Sequence, residues 1–91
     1  MTFIYREHAL QRMFERDIFE QDVEDVILRG EIIEEYLDDK LYPSFLALGF
    51  FQKPLHVVYA INKEEDQMII ITAYYPDKAK WGDDYKKRIT V

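Results

Sequence analysis

The chain has 91 residues, of which 48% are hydrophobic and 15% aromatic, enough for the core of one small domain. It contains no cysteine, which excludes disulfides, a thiol nucleophile and a cysteine-based zinc site, and its net charge of −6 argues against binding nucleic acid by bulk charge. No stretch approaches the roughly 20 apolar residues of a membrane span, and the N-terminus lacks a signal-peptide core. We therefore expect a single cytoplasmic domain over residues 1–91, without cofactor or membrane association.

The charges are unevenly distributed along the chain. Eleven acidic residues lie between Glu15 and Asp39 against two arginines, whereas five basic residues lie between Lys78 and Val91 against two aspartates. Two solvated faces would explain this pattern. The functional alternative is an anionic ligand near the basic tail, with the acidic middle turned away or toward a basic partner.

The first third of the sequence predicts two helices after a short segment of weak alternation. That segment, Thr2–Tyr5, is typical of a short edge strand. Apolar residues at helical spacing predict a helix from Arg6 to about Arg16 and a second over 20–29, and Gly30 suits the position that follows a helix. Because the connection is short, we expect a helical hairpin.

The rest of the sequence predicts four strands separated by short polar turns, which makes consecutive strands antiparallel. The predicted strands are Glu31–Leu37, Ser44–Phe51, Leu55–Ile61 and Gln67–Pro76. The last is apolar along most of its length, as expected of a strand with neighbours on both sides. It ends at Pro76, because proline cannot donate a hydrogen bond to a sheet.

Strict alternation along the fourth strand assigns its side chains to two faces. One face receives Ile69, Ile71, Ala73 and Tyr75, and the other Met68, Ile70, Thr72 and Tyr74. We therefore expect an α+β domain in which the helical hairpin packs on one face of a small antiparallel sheet of about four strands. The other face would be open or concave. Residues 77–91 stay unassigned between loop, short helix and final strand.

Three residues of the first predicted helix form a line beside its apolar side. His8, Arg12 and Arg16 are four residues apart and span roughly 80° of the helix surface. Salt bridges to neighbouring carboxylates would give this stripe a structural role. The functional interpretation is an anion site, because arginine pairs with phosphate oxygens and histidine titrates near neutral pH.

The predicted strands offer further candidates. His56 lies in an apolar strand, either as a satisfied core residue or as an acid–base partner of His8. Thr72, Tyr74 and Tyr75 close the fourth strand, either for packing or for hydrogen bonds to a phosphate.

The tail supplies further candidate residues. The tail mixes cations with an aromatic ring, as RNA-binding segments do, in Lys78, Lys80, Trp81 and Arg88. Neither HExxH nor a paired-histidine spacing occurs, so we expect no metal site.

These residues belong to a set of motifs that resembles a known family. The helices contain His8-Ala9-x-x-Arg12-Met13-x-x-Arg16-x-Ile18 and Asp22-Val23-Glu24. The strands contain Gly30-Glu31-Ile32-Ile33-Glu34, Leu46–Gly49, Leu55-His56-Val57-Val58, Ile69–Thr72 and Tyr75-Pro76, and the tail contains Trp81 and Arg88. On these residues, which span nearly the whole chain, the sequence resembles the bacterial domain of unknown function 4258.

That family is often placed near the RelE and barnase-like ribonuclease toxins. The resemblance implies a RelE-like fold and a metal-independent endoribonuclease with an antitoxin partner. Carried over by position, its candidate residues are His8, Arg12, Arg16, His56, Thr72, Tyr75 and Arg88. The chain departs from the family at Asp17 and Phe19, which replace a glycine and a small hydroxyl residue; loss of the hydroxyl cap costs about 1 kcal/mol. It is also acidic, whereas RelE-type toxins are usually basic.

The predicted function is an endoribonuclease in which the RNA 2′-hydroxyl attacks the adjacent phosphate. His8 or His56 would accept the proton, and Arg12 and Arg16, with Arg88, would stabilise the phosphate charge. Tyr75 would orient the phosphate or the leaving oxygen. Substrate would be bound by Thr72, Lys78, Lys80, Trp81 and Arg88. The alternative is a non-enzymatic module that binds a protein or an anionic ligand.

Overall fold

Two amphipathic helices and five strands make up the fold, in a computed structural model that describes residues 1–39 and 41–89. The elements in chain order are β1 (Thr2–Tyr5), α1 (Glu7–Glu15), α2 (Glu20–Arg29), β2 (Glu31–Tyr36), β3 (Ser44–Phe50), β4 (Pro54–Asn62) and β5 (Gln67–Tyr74). The predicted α+β class and both helices are confirmed. Predicted and observed boundaries agree within a few residues.

The sheet has the strand order β1-β5-β4-β3-β2. β1 runs parallel to β5, with Thr2 opposite Gln67, and the other three pairs are antiparallel. The prediction of an antiparallel sheet of about four strands was therefore wrong, because the short N-terminal segment adds a fifth, parallel strand. A parallel pair requires a long crossover, which the elements between β1 and β5 supply.

The core lies between the helices and one face of the sheet. α1 packs over β5, whereas α2 packs over β3 and β4. The helices contribute Ala9, Met13, Val23 and Val26, which are buried against Ala47, Leu55, Val57, Tyr59, Ile70 and Ala73 of the strands. The helical periodicity of the sequence predicts this side only in part, because Leu10 and Phe14, which share the predicted apolar side of α1 with Ala9 and Met13, are 41% and 86% exposed.

A β-bulge breaks the alternation of β5. Tyr59 pairs with Ile70 but Val58 pairs with Thr72, so Ile71 is the extra residue. Ile70 and Ala73 consequently both contribute to the core beneath the helices. The predicted faces, which separated Ile70 from Ala73, were wrong because strict alternation does not survive an inserted residue.

Gly30 ends α2 where the backbone passes close to β3. Its φ of −82° suits any residue. An added Cβ, however, would lie 2.5 Å from the Leu48 carbonyl oxygen and closer still to that of Val26. We expect Gly30→Ala to lower the free energy of unfolding by about 3 kcal/mol, because backbone atoms cannot rotate away from the methyl group. Urea unfolding of both proteins measures this.

Gly82→Ala is the matched control, because a Cβ there would meet nothing closer than 3.7 Å. It should change the free energy of unfolding by less than about 0.5 kcal/mol. Equal effects of the two substitutions would contradict the close approach at Gly30.

The tail covers part of the sheet face that the helices leave free. Residues 82 and 89 donate backbone hydrogen bonds to residues 87 and 80, so the tail folds into a small loop closed by a bridge between Trp81 and Arg88. Trp81 is only 3% exposed. The expectation of an open or concave face is therefore corrected for this part of the sheet, because Trp81 packs against His56.

Candidate functional site

The structure divides the predicted site residues between two places. The first is the edge formed by α1, the end of β5 and the start of the tail, which holds His8, Arg12, Arg16, Tyr75 and Lys80. The second is the sheet face beneath the tail, which holds His56, Trp81 and Arg88. Thr72 is half-buried and paired with Val58, and Lys78 is exposed in a turn. We call the first place the α1–β5 edge and the second the tail-covered face.

On the α1–β5 edge, the helical spacing places His8, Arg12 and Arg16 along one flank of α1. Arg12 Nε donates a hydrogen bond of 3.4 Å to His8 Nε2, so this imidazole nitrogen is unprotonated and directs its lone pair at the guanidinium. Arg12 Nη1 also lies 3.1 Å from a Glu15 carboxylate oxygen. His8 itself is exposed. The stripe therefore joins an accessible imidazole to a guanidinium group that is already oriented.

Arg16 connects this stripe to the sheet. Its Nη1 donates a 2.9 Å hydrogen bond to the backbone carbonyl oxygen of Ala73. β1 pairs with β5 only as far as Ile70, so within the part of the chain that the structure describes no strand covers this side of β5 beyond that residue. One bond to the backbone fixes the guanidinium and leaves its remaining N–H groups as donors.

A cleft of about 500 Å³ opens beside Arg16 and is also lined by Tyr74, Tyr75, Asp77 and Lys80. The Tyr75 hydroxyl donates to the Asp17 carbonyl oxygen at 3.3 Å, and partial burial raises the pKa of that phenol. The two cations of this cleft, Arg16 and Lys80, suit an anion such as a phosphate group, whereas both phenol protons are already donated within the fold. The Asp77 carboxylate is partly engaged, because it accepts a hydrogen bond from the Ala79 N–H.

The stripe is longer than one phosphate group. His8 and Arg16 are eight residues apart, which corresponds to about 12 Å along the helix axis. His8 and the cleft beside Arg16 therefore contact different parts of any ligand. An extended polyanion can follow such a line, whereas a single small anion cannot reach both ends.

His56, on the tail-covered face, is completely buried and uses both ring nitrogens. Its Nε2 lies 2.8 Å from the Tyr85 carbonyl oxygen and must donate, so Nδ1 accepts from the Tyr74 hydroxyl at 3.2 Å. Trp81 packs perpendicular to the ring, with centroids 4.4 Å apart. Burial lowers the pKa of His56, which favours the neutral ring that these bonds require. His56 anchors the tail, and it does not meet His8.

Acidification should destabilise the fold through His56. Its folded pKa lies below the ordinary 6.5, so between those two values the unfolded chain binds more protons than the folded one. The contribution is complete above about pH 6.5 and is lost as the pH falls below it. Urea unfolding at about pH 5.5 and 7.5 should show lower stability at the lower pH.

The slope should vanish in His56→Gln and persist in the control His8→Gln, which retains His56. Carboxylates titrate mainly below this window. A slope that survives His56→Gln would contradict the assignment.

Arg88 is paired rather than free on the tail-covered face. Its Nε and Nη2 atoms donate to the two carboxylate oxygens of Glu34, at 3.2 and 3.3 Å, and its guanidinium stacks 4.6 Å from the Trp81 ring centre. Partial burial opposes ionisation of Glu34, but hydrogen bonds from Tyr36 and Arg88 outweigh it and lower the Glu34 pKa. In this arrangement both Arg88 and Trp81 serve to hold the tail.

The sequence reasoning missed the partners of these tail residues. The sequence places Glu34 in an acidic strand and in the family motif without a predicted partner, and neither Tyr36 nor Tyr85 is among the predicted site residues. Period-2 alternation along β2 could have placed Glu34 and Tyr36 on one face. Nothing local links them to Arg88, since Glu34 and Arg88 are 54 residues apart.

Among residues 1–39 and 41–89, no cluster of three metal-ligating side chains occurs, and neither helix is long and apolar enough to cross a membrane. No curated protein and no solved structure matches the sequence. A family model described as "Domain of unknown function (DUF4258)" matches residues 5–75, from the end of β1 to the end of β5. The match includes the whole α1 stripe and Tyr75, and the chain belongs to the DUF4258 family.

Proposed function

We propose that the protein is an endoribonuclease of toxin type whose active site is the α1–β5 edge. The observation that carries this proposal is the placement of Arg16, held 2.9 Å from the Ala73 carbonyl oxygen beside a cleft that Lys80 and Tyr75 also line. His8 and Arg12 continue the same flank of α1. The edge thus offers one base and several cations along the path of a single RNA strand.

The reaction is an intramolecular transesterification. The 2′-oxygen attacks phosphorus, the bond from phosphorus to the 5′-oxygen breaks, and the products are a 2′,3′-cyclic phosphate and a 5′-hydroxyl. His8 Nε2 accepts the 2′-hydroxyl proton once the substrate hydroxyl replaces the Arg12 N–H as the hydrogen-bond partner of its lone pair, an exchange favoured by the 3.4 Å length of that bond and the exposure of His8. Arg12 and Arg16 stabilise the additional negative charge on the phosphate oxygens. Lys80 supplies the proton that the leaving 5′-oxygen requires, because the Tyr75 hydroxyl already donates to the Asp17 carbonyl oxygen.

This proposal assigns the base to His8 rather than to His56. His56 is buried, and both of its nitrogens are bonded to groups of the fold, so it cannot accept a proton from RNA while the tail is in place. The proposal keeps a RelE-like relationship, an antitoxin protein as partner and a cytoplasmic site of action. The net charge of −6 argues against RNA binding by bulk charge, and the proposal depends instead on the local cations Arg12, Arg16 and Lys80 of this edge.

The experiment is induced expression in bacterial cells, followed by mapping of new RNA 5′-ends. Wild-type protein should generate new 5′-hydroxyl ends and arrest growth, and His8→Ala should abolish both. Gln11→Ala is the matched control, because Gln11 is exposed on the same helix but lies off the stripe. Working in cells allows a ribosome-dependent cleavage to appear.

Intact RNA with well-expressed, folded wild-type protein would overturn the proposal. Equal cleavage by wild type and His8→Ala would remove His8 from the mechanism.

The second candidate, a non-enzymatic interaction module, is favoured by a separate observation, which is an exposed apolar groove on the helices.

A further inference from the structure

The outer side of the two helices carries an apolar groove that is open to solvent. Buried Met13 and Ile18 form its floor, and Leu10, Phe14 and Phe19 form its walls. These wall residues are 41%, 86% and 70% exposed, and the groove has a volume of about 990 Å³. Several large apolar side chains around one concave surface are typical of a binding site and not of an ordinary solvated face.

The groove lies on the flank of α1 opposite the catalytic stripe proposed above. Phe14 is two residues after Arg12, which separates the two side chains by about 160° around the helix. A molecule bound in the groove therefore leaves the α1–β5 edge accessible. The inference consequently does not rest on the proposed ribonuclease activity.

The rim of the groove is acidic. Glu7, Asp17 and Glu20 line it together with the uncharged Gln11, and no lysine or arginine among residues 1–39 and 41–89 lines it. A neighbouring cleft shares Asp17 and Phe19 with the groove and is also lined by Asp22, Asp25 and Lys53. Asp25 is paired with Arg29 at 3.4 Å, which leaves acidic residues in excess around the groove and this cleft. This charge favours a cationic partner, and it repels RNA, anionic lipid and a second copy of the same surface.

The walls of the groove come from helix side chains and from the turn between the helices. They offer no strand edge, so a bound peptide in extended conformation would find no backbone ladder there. Helices instead bind such grooves through apolar residues spaced three and four positions apart. We propose that this groove docks an amphipathic helix of a partner protein, with one apolar face and lysine or arginine along its flanks.

The test uses a fluorescent 18-residue helical peptide with leucine on one face and lysine on both flanks. Its affinity is measured by anisotropy, and its position by NMR shifts of the labelled protein. We expect shifts at Leu10, Phe14 and Phe19, and at least a tenfold loss of affinity in Phe14→Ser. Leu28→Ser is the matched control, since Leu28 is 69% exposed on α2 and does not line the groove. A peptide with glutamate in place of lysine should bind at least tenfold more weakly.

Each alternative occupant has a distinct result that would overturn the proposal. The proposal is overturned if the lysine peptide fails to bind, or if the lysine and glutamate peptides bind equally well. Concentration-dependent dimers that Phe14→Ser abolishes would show that a second copy occupies the groove. Phe14-dependent binding to phosphatidylglycerol vesicles would show a membrane surface instead. His8→Ala should bind the peptide like wild type, so failure of the ribonuclease proposal leaves this test unaffected.

Discussion

Trp81→Ala is expected to lower the free energy of unfolding by about 3–5 kcal/mol, the usual cost of deleting a buried large aromatic side chain. The indole is 3% exposed, packs perpendicular to His56 and carries the Arg88 guanidinium on its ring. Its loss removes the main apolar contact between tail and sheet, so the Tyr85 carbonyl should also leave His56. Urea unfolding gives the stability. An NMR titration should show the pKa of His56 rising toward its ordinary value.

Phe14→Ala is the control, because that ring is 86% exposed and its loss should change stability by less than about 0.5 kcal/mol. A cost below about 1 kcal/mol for Trp81→Ala would show that the tail does not depend on the indole.

The same variant also separates the two candidate sites. If RNA cleavage per folded molecule rises when the tail is released, the active site is the tail-covered face around His56. If cleavage changes only in proportion to the folded fraction, the α1–β5 edge remains the proposed active site.

The parts of the fold that were predicted correctly depend on local patterns. Helical spacing identified α1 and α2, because an amphipathic helix shows its periodicity within a few turns, but it did not separate the buried Ala9 and Met13 from the exposed Leu10 and Phe14. Two features failed because they depend on distant partners. The parallel pairing of β1 joins Thr2 to Gln67, and the bulge at Ile71 appears only in register with β4. Neither leaves a periodic signal in the sequence.

The candidate site likewise divides into features that local spacing predicts and features that depend on distant contacts. Spacing by four residues was sufficient to place His8, Arg12 and Arg16 on one flank of α1. It could not show that Arg16 bonds to Ala73, 57 residues away, or that both nitrogens of His56 are occupied. One of those bonds reaches Tyr85, 29 residues later, in a tail whose sequence has no regular period. Side-chain roles that depend on such contacts become visible only with the fold.

At Asp17 the chain departs from the family pattern, and the turn between the helices accommodates the change. The related pattern has glycine at this position, and the aspartate adopts a left-handed φ of 56°, which aspartate tolerates better than most residues. The cap missing at Phe19 is partly replaced, because the Asp22 carboxylate accepts a hydrogen bond of 3.2 Å from the Phe19 N–H. The turn between the helices therefore keeps the geometry that orients Arg16 and Tyr75.

Arg16→Ala is expected to reduce RNA cleavage at least 100-fold, because loss of one preoriented donor to a developing phosphate charge costs about that much. The reduction should exceed any effect on folding, since the side chain gives up a single hydrogen bond to Ala73, worth about 1 kcal/mol. Cleavage is measured by 5′-end counts per folded molecule in cells, and the folded fraction by urea unfolding of the purified protein.

Arg16→Lys tests the geometry rather than the charge. A lysine keeps the cation but has no planar fork with which to hold the Ala73 carbonyl and a phosphate at once, so cleavage should stay at least tenfold below wild type. Arg29→Ala is the matched control, because Arg29 lies on α2, where it contacts Asp25 and stacks on Phe51 away from the stripe. Equal losses in Arg16→Ala and Arg29→Ala would show that cleavage depends on general surface charge. A loss confined to Arg16, and only partly restored by lysine, would locate the phosphate beside the end of β5, where the guanidinium is held.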